Sequence, residues 1–161
     1  HTRCSRDWSS DVCSSDLICN KIGERMKTVI NRRCYGGFGL SDDAFERYLD
    51  LKGITWYKGE SIIASSEYYT VPVEEYEALY EVCKAKPVGP DRFKEVNGLY
   101  LSPYDIERND PLLIQVVEEL GEESWAEYAE LKIVNVPDDV QWEINDYDGM
   151  ESISEVHRQW Y

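Results

Sequence analysis

Basic residues, histidines and long apolar runs are all scarce in this chain, and each shortage closes off a class of function. Seventeen Lys and Arg face thirty-two Asp and Glu, for a net charge of −15 at neutral pH. A field of that sign repels phosphate backbones, so direct DNA or RNA binding is not expected. No apolar stretch approaches the roughly 20 residues that a membrane-crossing helix needs. Neither the G-x-G-x-x-G spacing of dinucleotide folds nor a P-loop lysine is present. The histidines number two, His1 and His157, which limits the supply of a general base. Of five cysteines, Cys4, Cys13 and Cys19 lie in the first twenty residues. The other two, Cys34 and Cys83, are too few for a disulfide framework or a zinc site, so a reducing cytoplasm is expected.

The first residues read as something other than natural protein. Arg6–Leu17 resembles one reading frame of a common sequencing adapter over twelve consecutive residues. A signal peptide is excluded because Asp7, Asp11 and Asp16 interrupt what would be its apolar segment. The codons of Ile22–Arg25 can spell a purine-rich ribosome-binding tract ahead of Met26. Met26 is therefore expected to be the start, with 1–25 an adapter-derived leader expected to be disordered. The 136 residues of Met26–Tyr161 make one domain's worth, enough to bury a core without staples.

Charge within that domain is lopsided. From Ser102 onward sixteen acids face three bases (Arg108, Lys132, Arg158), a net of −13. Residues 26–101 carry twelve acids and ten bases, a net of −2. Such a half suits a basic protein partner, a cation, or solubility alone.

Local patterns predict an α+β domain with a mixed sheet, about three helices and a C-terminal hairpin. Lys27–Asn31 is short and β-branched, a first strand. Ser41 is a natural N-cap, with Asp42 and Asp43 in the favoured first turn and Leu40 placed for a staple to Phe45. Phe45, Tyr48 and Leu49 recur at helical spacing, and Gly53 ends the helix. Strands are expected at Ile54–Tyr57, Ile62–Ser66 and Leu99–Leu101, and a loop over Val88–Asn97. A helix over Val73–Lys86 has the stripe Tyr76, Leu79, Tyr80 and Cys83, and Pro87 stops it. Asp110 caps and Pro111 opens another helix, with Leu113, Val116, Val117 and Leu120 on one face before Gly121. Leu131–Val136 and Trp142–Asn145 read as strands, and Asp148-Gly149 as a turn returning into Met150–Arg158. Ile153 and Val156 would equally line a terminal helix.

The loop Cys34, Tyr35, Gly36, Gly37, Phe38, Gly39 up to Ser41 is the sharpest motif. A glycine-rich turn feeding a helix N-terminus can aim backbone N–H groups at an anion. The bland alternative is a tight turn whose glycines take positive φ while Tyr35 and Phe38 pack. Cys34 would serve as a nucleophile only with a base, and His157 is distant in sequence. His157 and Arg158, with Trp160, form a cationic and aromatic patch able to take a carboxylate or phosphate. They are otherwise expected to pair with Glu155 and Glu151. The carboxylate groups Glu118, Glu119, Glu122, Glu123 and Asp138, Asp139, Asp146, Asp148 lack the spacing of a calcium loop and read as solvated faces.

Residues Met26–Leu51, with Cys34-Tyr-Gly-Gly-Phe-Gly-Leu-Ser41 at their centre, resemble a family of small phage and prophage proteins of unknown function. So do Asp110-Pro111-Leu112, Val116–Gly121, Leu131–Val134, Pro137–Val140, Trp142–Ile144, Tyr147–Gly149 and His157-Arg158. The resemblance implies a phage-linked, cytoplasmic accessory protein without assigned catalytic residues. The expected function is a non-enzymatic module binding a basic host protein or a small ligand, with no cofactor or metal. The rival is a small-ligand or anion site, or an enzyme, built on loop 34–41 with His157 and Arg158.

Overall fold

The computed structural model describes residues 25–60 and 66–157. The leader up to residue 24, most of the strand expected at Ile62–Ser66, and Arg158 lie outside that set. The described chain is α+β, and each of its ladders is antiparallel. Strand β1 (Met26–Asn31) pairs with β5 (Leu131–Val136), Met26 opposite Val136 and Asn31 opposite Leu131. A second ladder joins β2 (Tyr57–Glu60), β3 (Ser66–Tyr69) and β4 (Tyr100–Leu101). The third is the hairpin of β6 (Trp142–Tyr147) and β7 (Met150–Glu155). Among the described residues no helix is long and apolar enough to cross a membrane.

Helix α1 (Asp42–Lys52) begins where expected: the Ser41 hydroxyl accepts the Ala44 N–H at 3.3 Å. It buries Phe45, Tyr48 and Leu49 against Leu113, Val116 and Val117 of α4 (Pro111–Leu120), whose N-cap Asp110 accepts the Leu112 N–H at 2.8 Å. Each such side chain contributes about 1.5–3 kcal/mol by leaving water, and together they form the core. Two further helices lie between. Helix α2 (Val73–Ala85) buries Cys83 and stacks Tyr76 and Tyr80. Helix α3 (Lys94–Asn97) falls inside the segment expected to be loop, with Val96 buried as its anchor.

The second strand is displaced by three residues from the expected Ile54–Tyr57. Gly53, at φ 72°, and Ile54 send their N–H groups back to Asp50 and Leu49, so Ile54 completes the helix cap. The Trp56 indole donates to Asp50 at 2.9 Å. Both apolar residues are taken by α1, and pairing starts after them. At the other end, Asp148 (φ 51°) and Gly149 (φ 84°) make the two-residue turn with both φ positive that hairpins favour. Ile153 therefore lies on a strand and not on a terminal helix.

Strand β1 is buried from Thr28 to Asn31, and its edge away from β5 has an unusual neighbour. The Val29 N–H donates to the Arg108 carbonyl, and the Asn31 N–H donates to the Glu151 carboxylate, both at 2.8 Å. Asn31 itself, fully buried, donates through Nδ2 to the carbonyls of Arg33 and Gly149. Its Oδ1 accepts from the N–H groups of Arg33 and Glu130. Asn31→Ala leaves several of these groups without partners and is expected to cost about 2–4 kcal/mol in urea denaturation. Asn145→Ala, which loses one exposed bond to Ser154, should stay within about 0.5 kcal/mol of the parent.

Candidate functional site

The glycine-rich loop is held between two other segments. Its Tyr35 N–H donates to the Asp148 carbonyl in the hairpin turn. Further on, Gly39 accepts from the Ala126 N–H at 3.2 Å, Leu40 bridges Trp125, and the Ser41 N–H reaches the Ser124 carbonyl at 3.0 Å. Residues 36–41 thus run antiparallel to 124–128. Two of the loop's three glycines serve this close packing. A Cβ on Gly36 would strike the Tyr128 carbonyl, and one on Gly39 would press the Ala126 side chain at 2.9 Å. None of the three has positive φ; that conformation falls on Tyr35, at 58°.

Phe38 is buried, and the Arg108 guanidinium lies 3.6 Å from its ring centre. The same guanidinium makes two bonds of 2.9 Å to the two oxygens of Glu151, a carboxylate only 6% exposed. With the Asn31 N–H on one of those oxygens, the pair is neutralised and hydrogen-bonded, as a buried ion pair must be to hold.

Above Phe38 and Arg108 opens a depression of about 610 Å³. Tyr35, Tyr104 and Tyr128 stand around it, 88%, 72% and 62% exposed, with Glu127 and Asp146 between them. Tyr147, 76% exposed, flanks the turn that Tyr35 binds. These are the four most exposed aromatic side chains among the described residues. Arg33 already lies over the Tyr128 ring, 5.7 Å from its centre.

A second depression of about 410 Å³ shares Gly39, Tyr104, Ala126 and Glu127 with the first. It extends past Trp125 and Pro103 to Asp42, Ser66 and Tyr68. Burial pulls the Asp42 carboxyl up, but bonds from Ser66 and Lys58 outweigh it and hold the group below its usual value. Asp42 is therefore ionised at neutral pH. A third hollow, of about 430 Å³, holds Lys52, Tyr48 and Asp110. Its polar groups bond one another: the Lys52 ammonium to the Tyr48 oxygen, and the Tyr48 hydroxyl to Asp110, each at 2.8 Å. Burial raises the Tyr48 phenol, so this chain of bonds persists at neutral pH.

The expected site residues divide accordingly. Tyr35, Gly36, Gly37, Phe38 and Gly39 line the first depression. Cys34 is exposed beside it, its Sγ 3.9 Å from Met150 Sδ. Ser41 is spent on the fold, capping α1 and donating to the Glu123 carbonyl at 2.6 Å. Tyr35 does not pack, as the tight-turn alternative requires. His157 lies near Asp139, Gln141 and Glu155, past the far end of β7 from Gly149, about 26 Å away along the strand. Glu151, expected to pair with His157 or Arg158, belongs to Arg108. Carboxylates on α4 meet cations singly, Glu118 with Lys27 and Glu119 with Arg47.

Sequence reasoning missed Tyr104, Arg108, Glu127, Tyr128 and the site role of Asp146 and Glu151. The available signal was Arg108 itself, one of three bases in an acidic half. Comparison with protein-family models, with curated proteins and with solved structures finds no match for this chain.

Arg108→Met strands a buried carboxylate and should cost about 3–5 kcal/mol. Combined with Glu151→Leu, the loss should be well below the sum of the two single changes, as a double-mutant cycle by chemical denaturation will measure.

Proposed function

We propose that this protein is a non-enzymatic binding module that takes a basic protein partner on the tyrosine-rimmed depression over loop 34–41. The observation that carries the reading is the convergence of three of the four most exposed tyrosines, Tyr35, Tyr104 and Tyr128, on one depression. Tyrosine is enriched at recognition surfaces because it offers a large rigid ring and a hydroxyl at low entropic cost. Leaving three such rings in water around one depression exposes roughly 400 Å² of aromatic surface, the scale of a functional patch.

Charge selects the partner. The depression's lining carries Arg108 against Glu127, Asp146 and Glu151, a net of −2. Adding the flanking Arg32 and Arg33 against Glu130 and Asp148 leaves that balance unchanged. Arg33 over Tyr128 is an internal example of the contact a partner's arginine would make on Tyr35 or Tyr104. In the phage-linked setting implied by the sequence motifs, the partner is a host protein and the compartment the bacterial cytoplasm, where Cys34 and Cys83 stay as the free thiols seen here.

The anion-binding rival is less well supplied. Two of the loop's N–H groups, on Tyr35 and Ser41, are bonded to backbone carbonyls, and Arg108 is occupied by Glu151.

A labelled oligo-arginine peptide, followed by fluorescence anisotropy, tests the reading. Glu127→Gln with Asp146→Asn is expected to weaken binding about tenfold. Asp138→Asn with Asp139→Asn removes the same charge elsewhere and should change it little. Equal weakening by both pairs would mean that overall charge alone does the binding, and the site would be rejected.

A further inference from the structure

The two depressions that share Gly39, Tyr104, Ala126 and Glu127 form one trough. Its floor is the ladder of residues 36–41 against 124–128, and its opposite wall is the segment carrying Tyr100, Tyr104 and Arg108. Tyr35 to Ser41 spans at most about 20 Å, the reach of six extended residues.

Gly37 lies on the part of that floor that lines the first depression. Its φ is not positive, and a Cβ built on it meets nothing within 4 Å. The fold therefore has no need of glycine there, whereas Gly36 and Gly39 are required by Tyr128 and Ala126. Gly89 and Gly98 share the same freedom but sit in bends outside the trough. A bare backbone facing an open groove lets another main chain approach closely.

We infer that the trough binds an extended peptide segment of the basic partner, laid over Gly37, an inference that rests on the function proposed above. The segment places an arginine or lysine among Tyr35, Tyr104, Glu127 and Asp146. About four residues away an apolar side chain enters the other end, against Trp125 and Pro103. Asp42, half exposed and already paired with Lys58 at 3.1 Å, closes that end of the trough. Alternate side chains of an extended segment point to the same side, so a basic and an apolar residue at an even spacing both face the floor.

The test is selection from a random peptide library displayed on yeast against the full chain, followed by anisotropy on the enriched peptides made synthetically. Enrichment of arginine- and lysine-bearing peptides with an apolar residue at even spacing is expected. Gly37→Val should keep the parent's urea midpoint and weaken those peptides about tenfold or more. If Gly37→Val proves unstable, Tyr104→Ala at the junction of the two depressions should weaken them similarly, since Tyr104 is exposed. Basic peptides that bind Gly37→Val and Tyr104→Ala as well as the parent, yet lose affinity with Glu127→Gln and Asp146→Asn, would overturn the trough and leave the basic-partner reading standing. Enrichment of acidic or uncharged peptides only, or of none, would overturn both.

Discussion

Asn31 and the Arg108–Glu151 pair join four segments that are far apart in the chain, and the remaining geometry of the site follows from that junction. Strand β1 has β5 on one side only. On the other, the Glu151 carboxylate and the Arg108 carbonyl accept the N–H groups that a further strand would have taken. An exposed strand edge is a liability, and an unpaired buried N–H costs about 1–3 kcal/mol. Glu151 satisfies one such group while itself being satisfied by Arg108. Because Glu151 lies on β7, the same bonds set the hairpin against β1. Asn31 then binds the Gly149 carbonyl in the hairpin turn, and the adjacent Asp148 carbonyl takes Tyr35. The glycine-rich loop is thereby fixed at both ends, by the hairpin at Tyr35 and by residues 124–126 at Gly39 to Ser41.

Close approach explains the glycines at 36 and 39, and the same approach produces the depression. With no side chain at Gly36 or Gly39, the loop backbone settles onto Tyr128 and Ala126, and Phe38 turns down into the core beneath Arg108. Turning Phe38 inward leaves Tyr35, in a left-handed conformation, projecting outward. Such a conformation is uncommon for a tyrosine and persists only where its surroundings hold it, here the bond to Asp148. One aromatic of the Cys-Tyr-Gly-Gly-Phe-Gly motif thus serves the core and the other the surface.

Elements whose determinants are local were legible in the sequence. Ser41, Asp110, Pro111 and Gly53 mark helix ends through bonds made within a few residues, and Asp148-Gly149 sets its turn by its own dihedral preferences. The displaced second strand shows the limit even of local signals: Ile54 and Trp56 have strand-like chemistry, but the helix cap and Asp50 claim them first. The site was half legible. Loop 34–39 declares itself by composition. Its other walls come from Tyr104, Arg108, residues 126–129 and Asp146, brought together by pairing between segments that no periodicity connects. His157 and Glu151, near neighbours in sequence, were natural partners on paper. On a strand, six residues amount to about 20 Å, and Glu151 goes to an arginine forty-three positions away.

The charge distribution divides its work by depth. At the floor of the site Arg108 and Glu151 cancel, so a group entering there meets an aromatic ring and a neutral pair. At the rim Glu127, Asp146 and Asp42 are exposed, and beyond them lies the surplus of acids that follows Ser102. Exposed charges are screened over about 8 Å at physiological ionic strength, so the rim acts at contact while the wider surplus acts as a weak, salt-dependent guide. Long-range charge raises encounter rates and excludes polyanions; it does not select one cationic partner from another. On the proposed reading, selection falls to Tyr35, Tyr104 and Tyr128 and to the shape of the floor. The backbone beneath them is bonded to its neighbours at Tyr35 and from Gly39 to Ser41, so a bound segment would not have to order it.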